Sequence, residues 1–561
     1  QTYFQEQLQI INGTERRFRI ILNTEKRLFR IFCNNYFSGL TELVQMREKL
    51  LFKIKDTPSE QTVIRKIRKN CRLSFLNTKK QSLMYFDTFD WRLFRKGLML
   101  QQEDDVFRLI RKGQDRAFTE TTVSVERNPL FWWEFPRGKL KDELQKLLSM
   151  RCLLIMYDLS ITEKNFSVEN EDEKIVVRVA LLCIEDNRNN DAERFVQVVP
   201  VRGYDEHFDT FISSLAVFET QLHTLPLFTV FNSITGIKPG YYSPKPQIHI
   251  EPDENPERAL YVILLHLIDI IRKNEEGVIK DVDIEFLHDM RIAVRMIRTL
   301  VKLFTDLIPK TDAQKLNTDM KWLGNMTGTV RDLDVYLSLE NQYIELLPNY
   351  LHDGLHLFFQ QLAKRRNTSY LSLKQNLESE HFGEIMVYWE TYFSKRMEEI
   401  TQLNSDGTVF EIVSKKITEQ YDRIDKRLTK VEKKQTDKVF HQLRIECKRL
   451  RYMYESFSSL YGAKNVGSLT KHLKRFQNTL GTLNDLTVQE EVLLHFLTEI
   501  DESPENKVTI SASVGGLITQ IAEKKDDAKK DFLSAIKKYR GQNDRSKFKK
   551  IVLDFQRRTV L

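Results

Sequence analysis

No run of apolar residues in this 561-residue chain approaches the roughly 20 needed to span a bilayer, so a membrane-spanning helix is excluded. The start, QTYFQEQLQI, lacks the charged-then-apolar pattern of a secretory signal. No Met stands at its head, so the true amino terminus is open. Cysteine is scarce: Cys33, Cys71, Cys152, Cys183 and Cys447 are scattered with no C-x-x-C spacing. That argues against a zinc site or a disulfide framework and for reduced thiols in a cytoplasmic protein. A strong charge imbalance is missing too, with 87 Lys and Arg against 79 Asp and Glu and a net charge of +8. Any anion-binding role must therefore come from where the charges sit.

What is present describes a folded protein, with 41% hydrophobic and 30% charged residues and enough length for two to four compact units. Proline marks the clearest boundary. Pro226, Pro239, Pro244, Pro246, Pro252 and Pro256 crowd one stretch that reads as a linker over 226–256. Before it, alternating runs such as KIVVRVALLCIED (174–186) and RFVQVVPVRGY (194–204) predict β-strands. Helices are predicted at SGLTELVQMREKLLFKI (38–54), with Ser38 or Thr41 as cap, and at GKLKDELQKLLSM (138–150). After the prolines, helical periodicity dominates and glycines are few. The fold class expected is an α+β half built on a barrel or strongly curved sheet over 1–225, followed by an all-α half.

The all-α half is duplicated. Residues 286–335 lie over 439–488 without a gap, at an offset of 153. FLHDMRIAVRMIRTLVKLF matches VFHQLRIECKRLRYMYESF, and MTGTVRDLDV matches TLGTLNDLTV in the same register. Each repeat should hold a basic helix, a second helix carrying Lys321 or Lys474, and a glycine turn at Gly328 or Gly481. The repeats divide as 257–400 and 401–561.

At 100° per residue, His288, Arg291, Arg295, Arg298 and Lys302 fall within an arc of about 80°. His441, Arg444, Lys448 and Arg451 repeat that stripe, with Glu455 in the fifth position. A solvated face is the ordinary reading of such charges. Here Ile292, Ile297, Leu300 and Leu303 supply the core from other sides, and a stripe of one sign carries repulsion that an anion would relieve. Arginines three to four residues apart repeat about every 5 Å along a helix, a spacing suited to a phosphate chain. His288 and His441 lack a partner at i+3 or i+4 for a metal and are read as hydrogen-bonding groups.

The pattern H-x-x-R-x-x-x-[RK]-x-x-R, followed by G-x-x-R-D-L-D-V at 328–335, resembles the CHAD family over about 257–561. That resemblance implies two pseudo-symmetric four-helix bundles around a basic channel, with inorganic polyphosphate as partner. The binding residues it implies are His288, Arg291, Arg295, Arg298, Lys302, Lys321, His441, Arg444, Lys448, Arg451 and Lys474. Lys364, Arg365 and Arg366 are read as a solvated face. MYFDTFDWRLFRKGLML (84–100), FRLIRKG (107–113) and VVPVRGYD (198–205) resemble segments of the CYTH family, an antiparallel β-barrel forming a triphosphate tunnel. The family's opening E-x-E-x-K motif appears nowhere, and the candidate first strands read QEQLQI (5–10) and KRLFRIF (26–32). Because metal-assisted cleavage needs carboxylates to hold the ion, the resemblance implies a degenerate, non-catalytic barrel. Arg108, Lys112, Arg178 and Arg202 are its candidate phosphate contacts. No catalytic or metal-binding residue is assigned, and Mg2+ or Mn2+ is expected only if the barrel is active.

The function expected is polyphosphate binding in the cytoplasm, with association to polyphosphate granules. A tunnel phosphohydrolase fed by the helical module and a nucleic-acid-binding protein are the alternatives. The stripes lack the interleaved aromatics that single-strand stacking needs.

Overall fold

The structure, a computed structural model, describes residues 50–54, 59–111, 117–123, 130–215, 221–222, 227–244, 248–400, 407–500 and 503–559. Two compact units result, one of residues 1–147 and 153–240, the other of 148–152 and 241–561. The candidate first strands, Ser38, Thr41 and Lys112 lie outside the described residues.

The first unit is an antiparallel sheet. Its strands are β1 (Leu50–Lys53), β2 (Arg72–Asp87), β3 (Leu98–Glu103), β4 (Val106–Arg111), β5 (Ala117–Thr122), β6 (Leu154–Glu169), β7 (Ile175–Asp186), β8 (Ala192–Pro200) and β9 (Gln221–Leu222). They run in the order β5-β4-β3-β2-β6-β7-β8-β1-β9. Every neighbouring pair is antiparallel, and among the described residues no ladder joins β5 to β9. Helix α1 (Glu60–Arg68), capped by the Ser59 hydroxyl accepting from the Thr62 amide, buries Val63 and Ile67. They join a core with Phe52, Phe166, Leu181 and Val196. Helix α2 (Lys139–Leu148) forms where the sequence placed one. The helix read over 38–54 needs correction: its end, Leu50–Lys53, is strand β1, aligned Leu50↔Val198 and Phe52↔Val196. Alternation wins there because it buries Phe52 against the sheet's core. Helix α3 (Asp205–Ser214) follows β8, and α4 (Leu227–Thr235) lies inside the stretch read as linker, with that stretch's prolines all outside it.

The Asp of the Y-x-D-T segment braces a turn. Asp87 accepts from the amides of Thr88, Leu93 and Phe94 at 2.7, 3.0 and 2.8 Å. Burial still pushes its carboxyl up to about 6.

The second unit is helical from Pro256 to Thr559 among its described residues. The first repeat holds α5 (Pro256–Ile279), α6 (Ile284–Leu303), α7 (Lys310–Met326), α8 (Gly328–Leu337), α9 (Glu340–Ile344), α10 (His352–Leu377) and α11 (Glu380–Glu399). The second holds α12 (Val409–Lys433), α13 (Asp437–Phe457), α14 (Ala463–Thr498), α15 (Pro504–Gly541) and α16 (Asp544–Thr559). The glycine turns need correction. Gly328 opens α8 directly after α7, and Gly481 lies inside the unbroken α14.

One matched pair of the duplication meets: the Phe304 and Phe457 rings lie 5.5 Å apart. A shared core joins the repeats, with Leu355, Phe358 and Leu362 of α10 packed among Phe496, Ile510, Val514 and Leu517. Phe358 and Phe496 meet edge to face at 4.6 Å. Arg366, read as part of a solvated face, instead ties α10 to Asp334 of α8 at 2.8 Å and to Asp281. Arg365 reaches across the repeats to Glu499 at 3.1 Å. Asp334 and Asp281 both lie within reach of the Arg366 guanidinium fork, so this charge braces the fold, while the Arg365–Glu499 pair is exposed.

Helices α10 and α15 pass close at Gly354, where an added Cβ would sit 2.2 Å from the Thr509 carbonyl. Gly354→Ala should therefore destabilise the helical unit by about 1–3 kcal/mol, the usual cost of overpacking, read as a lowered thermal midpoint. An unchanged midpoint would show that the repeats do not meet there.

Candidate anion-binding site

Helix α6 starts where the Asp283 carboxylate accepts from the amides of Glu285 and Phe286 at 2.8 and 3.2 Å. That cap is itself braced by Arg151, whose fully buried guanidinium donates to Asp283 at 3.2 Å and also to Asp289. Asp289 accepts from the Tyr242 hydroxyl at 3.0 Å, and the Asn274 amide donates to Tyr242 at 2.7 Å. Asp289, which lines the same cavity as Arg295 and Arg331, is thus paired with the buried cation Arg151.

The cavity that α6 lines has a volume of about 730 Å3 and draws on both repeats. His288, Arg291, Arg295 and Arg331 come from the first repeat, and Arg444, Lys448, Arg451 and Lys474 from the second. Ile292, read as core, lines it as well. Arg298, Lys302, Lys321 and His441 are not among its lining residues. Arg298 is half-buried, Lys302 and Lys321 are exposed, and His441 pairs with the Asn484 side chain at 3.1 Å. Glu285, Asp289, Asp332, Glu455 and Asp485 line it too, so the wall is mixed in sign rather than basic from end to end.

The two repeats use their arginines differently. Arg291 donates to the Gly324 carbonyl and the Thr327 hydroxyl, both at 3.1 Å, and so caps the negative end of α7. A Cβ at Gly328 would lie 3.4 Å from that guanidinium, in ordinary contact with it. In the second repeat α14 does not end, and Arg444 turns instead to Asp485 at 3.1 Å. Arg451 approaches Glu455 at 3.8 Å. Among the described residues, no carboxylate lies within 4.0 Å of Arg295 or Lys448, and the Arg295 Nε is buried without a hydrogen-bond partner.

The electrostatics follow from that crowding. Burial first, then Arg444, Arg295 and Arg451, pull the Lys448 ammonium down to about 7. Burial first, then Arg331 and Arg295, hold His288 down at about 3. At neutral pH His288 is therefore a neutral hydrogen-bonding group, while the cations around it lie in a potential that an anion would relieve.

Sequence reasoning missed Arg331, although it stands in the R-D-L-D block. It donates to the Ile284 carbonyl at 3.1 Å and lies 3.9 Å from Glu285. Its counterpart in the second repeat is Asn484. In the first unit, Arg108 pairs across strands with Glu103 at 2.6 Å and Glu120 at 3.2 Å, and Arg178 and Arg202 are exposed. The cations that gather there are Lys80, Lys164 and Arg194, around a cavity of about 250 Å3. Strand register places Lys80, Thr162, Cys183 and Arg194 in one row, and sequence without register could not find it.

Lysine side-chain spectra of labelled protein should show one ammonium titrating near pH 7 and absent from Lys448→Arg. A midpoint at the ordinary lysine value of about 10.4 would mean that Lys448 is not crowded by cations.

No curated protein matches the chain. Among solved structures, a CHAD domain from the plant Ricinus communis is 24% identical over 52% of this chain and 95% of its own, with a TM-score of 0.44. PptA from Streptomyces chartreusis is 14% identical over 50% and 99%, with a TM-score of 0.40. A proposed adenylate cyclase from Bacillus halodurans is 16% identical over 33% and 97%, with a TM-score of 0.20. The family described as "CHAD domain" matches residues 262–495, a span that contains both basic helices and nearly all of the cavity's lining, and the helical half of this chain carries a CHAD domain.

Proposed function

We propose that the helical unit binds inorganic polyphosphate in the cavity between its repeats, and that this binding associates the protein with polyphosphate granules. The observation that carries the reading is the convergence of cations from both repeats on one cavity, with Arg295 and Lys448 lacking a carboxylate partner among the described residues. A polyphosphate chain supplies one negative charge after another with no bulk between them, and releases counterions when it binds. Nucleic acid brings a base with each phosphate. Among the described residues, no Phe or Trp lines the cavity, and its one Tyr, Tyr336, is buried with its hydroxyl donating to the Val488 carbonyl at 3.2 Å.

Three measurements test this. In competition at several salt concentrations, long-chain polyphosphate should displace DNA and RNA of matched charge, and equal affinity for all three would count against the proposal. Arg295→Gln with Lys448→Gln should weaken polyphosphate binding and flatten the slope of log affinity against log salt by about 1.5, given roughly 0.7–0.9 per neutralised phosphate. Asp485→Asn should act in the opposite direction, because it removes the internal anion that holds Arg444.

The pH dependence has a definite sign. Lys448 has its pKa near 7 in the empty cavity, and a bound polyanion raises it. Below pH 7 the lysine is charged in both states and affinity is flat. Above pH 7 binding takes up a proton, so affinity falls as pH rises, by at most tenfold per unit for about one proton. Calorimetry in buffers of different ionisation enthalpy at pH 8 should register that uptake, and Lys448→Arg should abolish it.

A further inference from the structure

A second cavity, of about 520 Å3, lies between α14 and α15 and shares no lining residue with the first. His472, Arg475, Phe476 and Thr479 line it from α14, and Ser534, Lys538 and Tyr539 from α15. Lys474 lines the central cavity and Arg475 this one, since successive residues on a helix turn by 100°. Neither Arg475 nor Lys538 has a carboxylate within 4.0 Å among the described residues, and the lining holds one acid, Asp531.

The histidine is oriented. His472 Nδ1 lies 2.9 Å from a carboxylate oxygen of the buried Asp544. An ionised carboxylate can only accept, so Nδ1 carries the hydrogen and Nε2 is left for the cavity. The floor is a stacked pair, Phe476 on Tyr539, with centroids 4.4 Å apart at 16°. Among the described residues, the Tyr539 Oη and Gln542 Oε1 of the lining have no hydrogen-bond partner.

Nor is the feature a by-product of the duplication. In register, the first repeat has Asp319 where the second has His472, and Trp322 where it has Arg475. Asp319 is occupied in accepting from the Trp389 indole at 2.8 Å.

We propose that this cavity is a second, independent site of the second repeat that binds a phosphoryl group, with Arg475 and Lys538 supplying charge and His472 supplying a directed ring nitrogen. The phosphoryl group could belong to an inorganic pyrophosphate or to a nucleotide, and the aromatic floor gives a nucleotide additional surface.

Histidine ring spectra of the full chain test the proposal, with the His472 signal assigned from His472→Gln. Pyrophosphate and ATP are titrated separately. Each should move the His472 signal, and Arg475→Gln with Lys538→Gln should weaken that response at least about tenfold, the scale of losing charge-assisted hydrogen bonds. The His288 signal should respond as before in the double variant. Tighter binding of ATP assigns a nucleotide and tighter binding of pyrophosphate an inorganic ligand, and both support a phosphoryl site. A His472 signal that neither ligand moves, or that moves equally in the double variant, overturns it. Failure of polyphosphate to bind the central cavity would leave this result unaffected, because His288 reports that site separately.

Discussion

Seven lysines and arginines stand around the central cavity against their mutual repulsion, and the helical unit is arranged so that this repulsion can be sustained. Apolar contact between the repeats supplies the opposing force. Phe358 against Phe496, Phe304 against Phe457 and the close passage of α10 past α15 at Gly354 hold the two basic helices in place. Burial of that core does not depend on charge, so this opposing force acts whether or not an anion is present.

Carboxylates moderate the repulsion unevenly. Arg291 is held by the end of α7, Arg444 and Arg451 face Asp485 and Glu455, and Asp289 is paired with the buried Arg151. Among the described residues, Arg295, Lys448 and the exposed Lys474 are the cavity cations left without a carboxylate partner or a helix end to hold them. Pre-positioned charge that the protein itself does not neutralise is the part of a site that a ligand completes, and the partly paired cations give register and orientation.

Much of this was legible before any coordinates. A duplication held in register over fifty residues specifies two like helices, and their stripe of His288, Arg291 and Arg295, matched by Arg444, Lys448 and Arg451, follows from helical periodicity alone. Lys302, on the same arc, and Lys321, on the next helix, do not line the central cavity, and an arc on a helix says which side faces a partner but not where that cavity ends. Arg331 escaped notice because it lies outside the basic stripe, in the R-D-L-D block of the next helix but one, and only the packing of α8 against α6 brings it to the cavity. In the first unit, hydrophobic alternation located β7 and β8, yet the row Lys80, Thr162, Cys183 and Arg194 depends on the register of four strands.

Sequence by itself determined the order of a strand-rich half and a helical half, the internal repeat, and which helices carry cations, because these depend on periodicities of two and of 3.6 residues along a single segment. Only the tertiary structure decided that the repeats share one core, that α14 runs through where α7 and α8 break, that Arg366 is a brace, and which cations remain without a counterion. Those outcomes depend on pairs of residues far apart in the chain, such as Arg151 with Asp289 or Arg295 with Lys448, whose distances and shared desolvation no local pattern encodes.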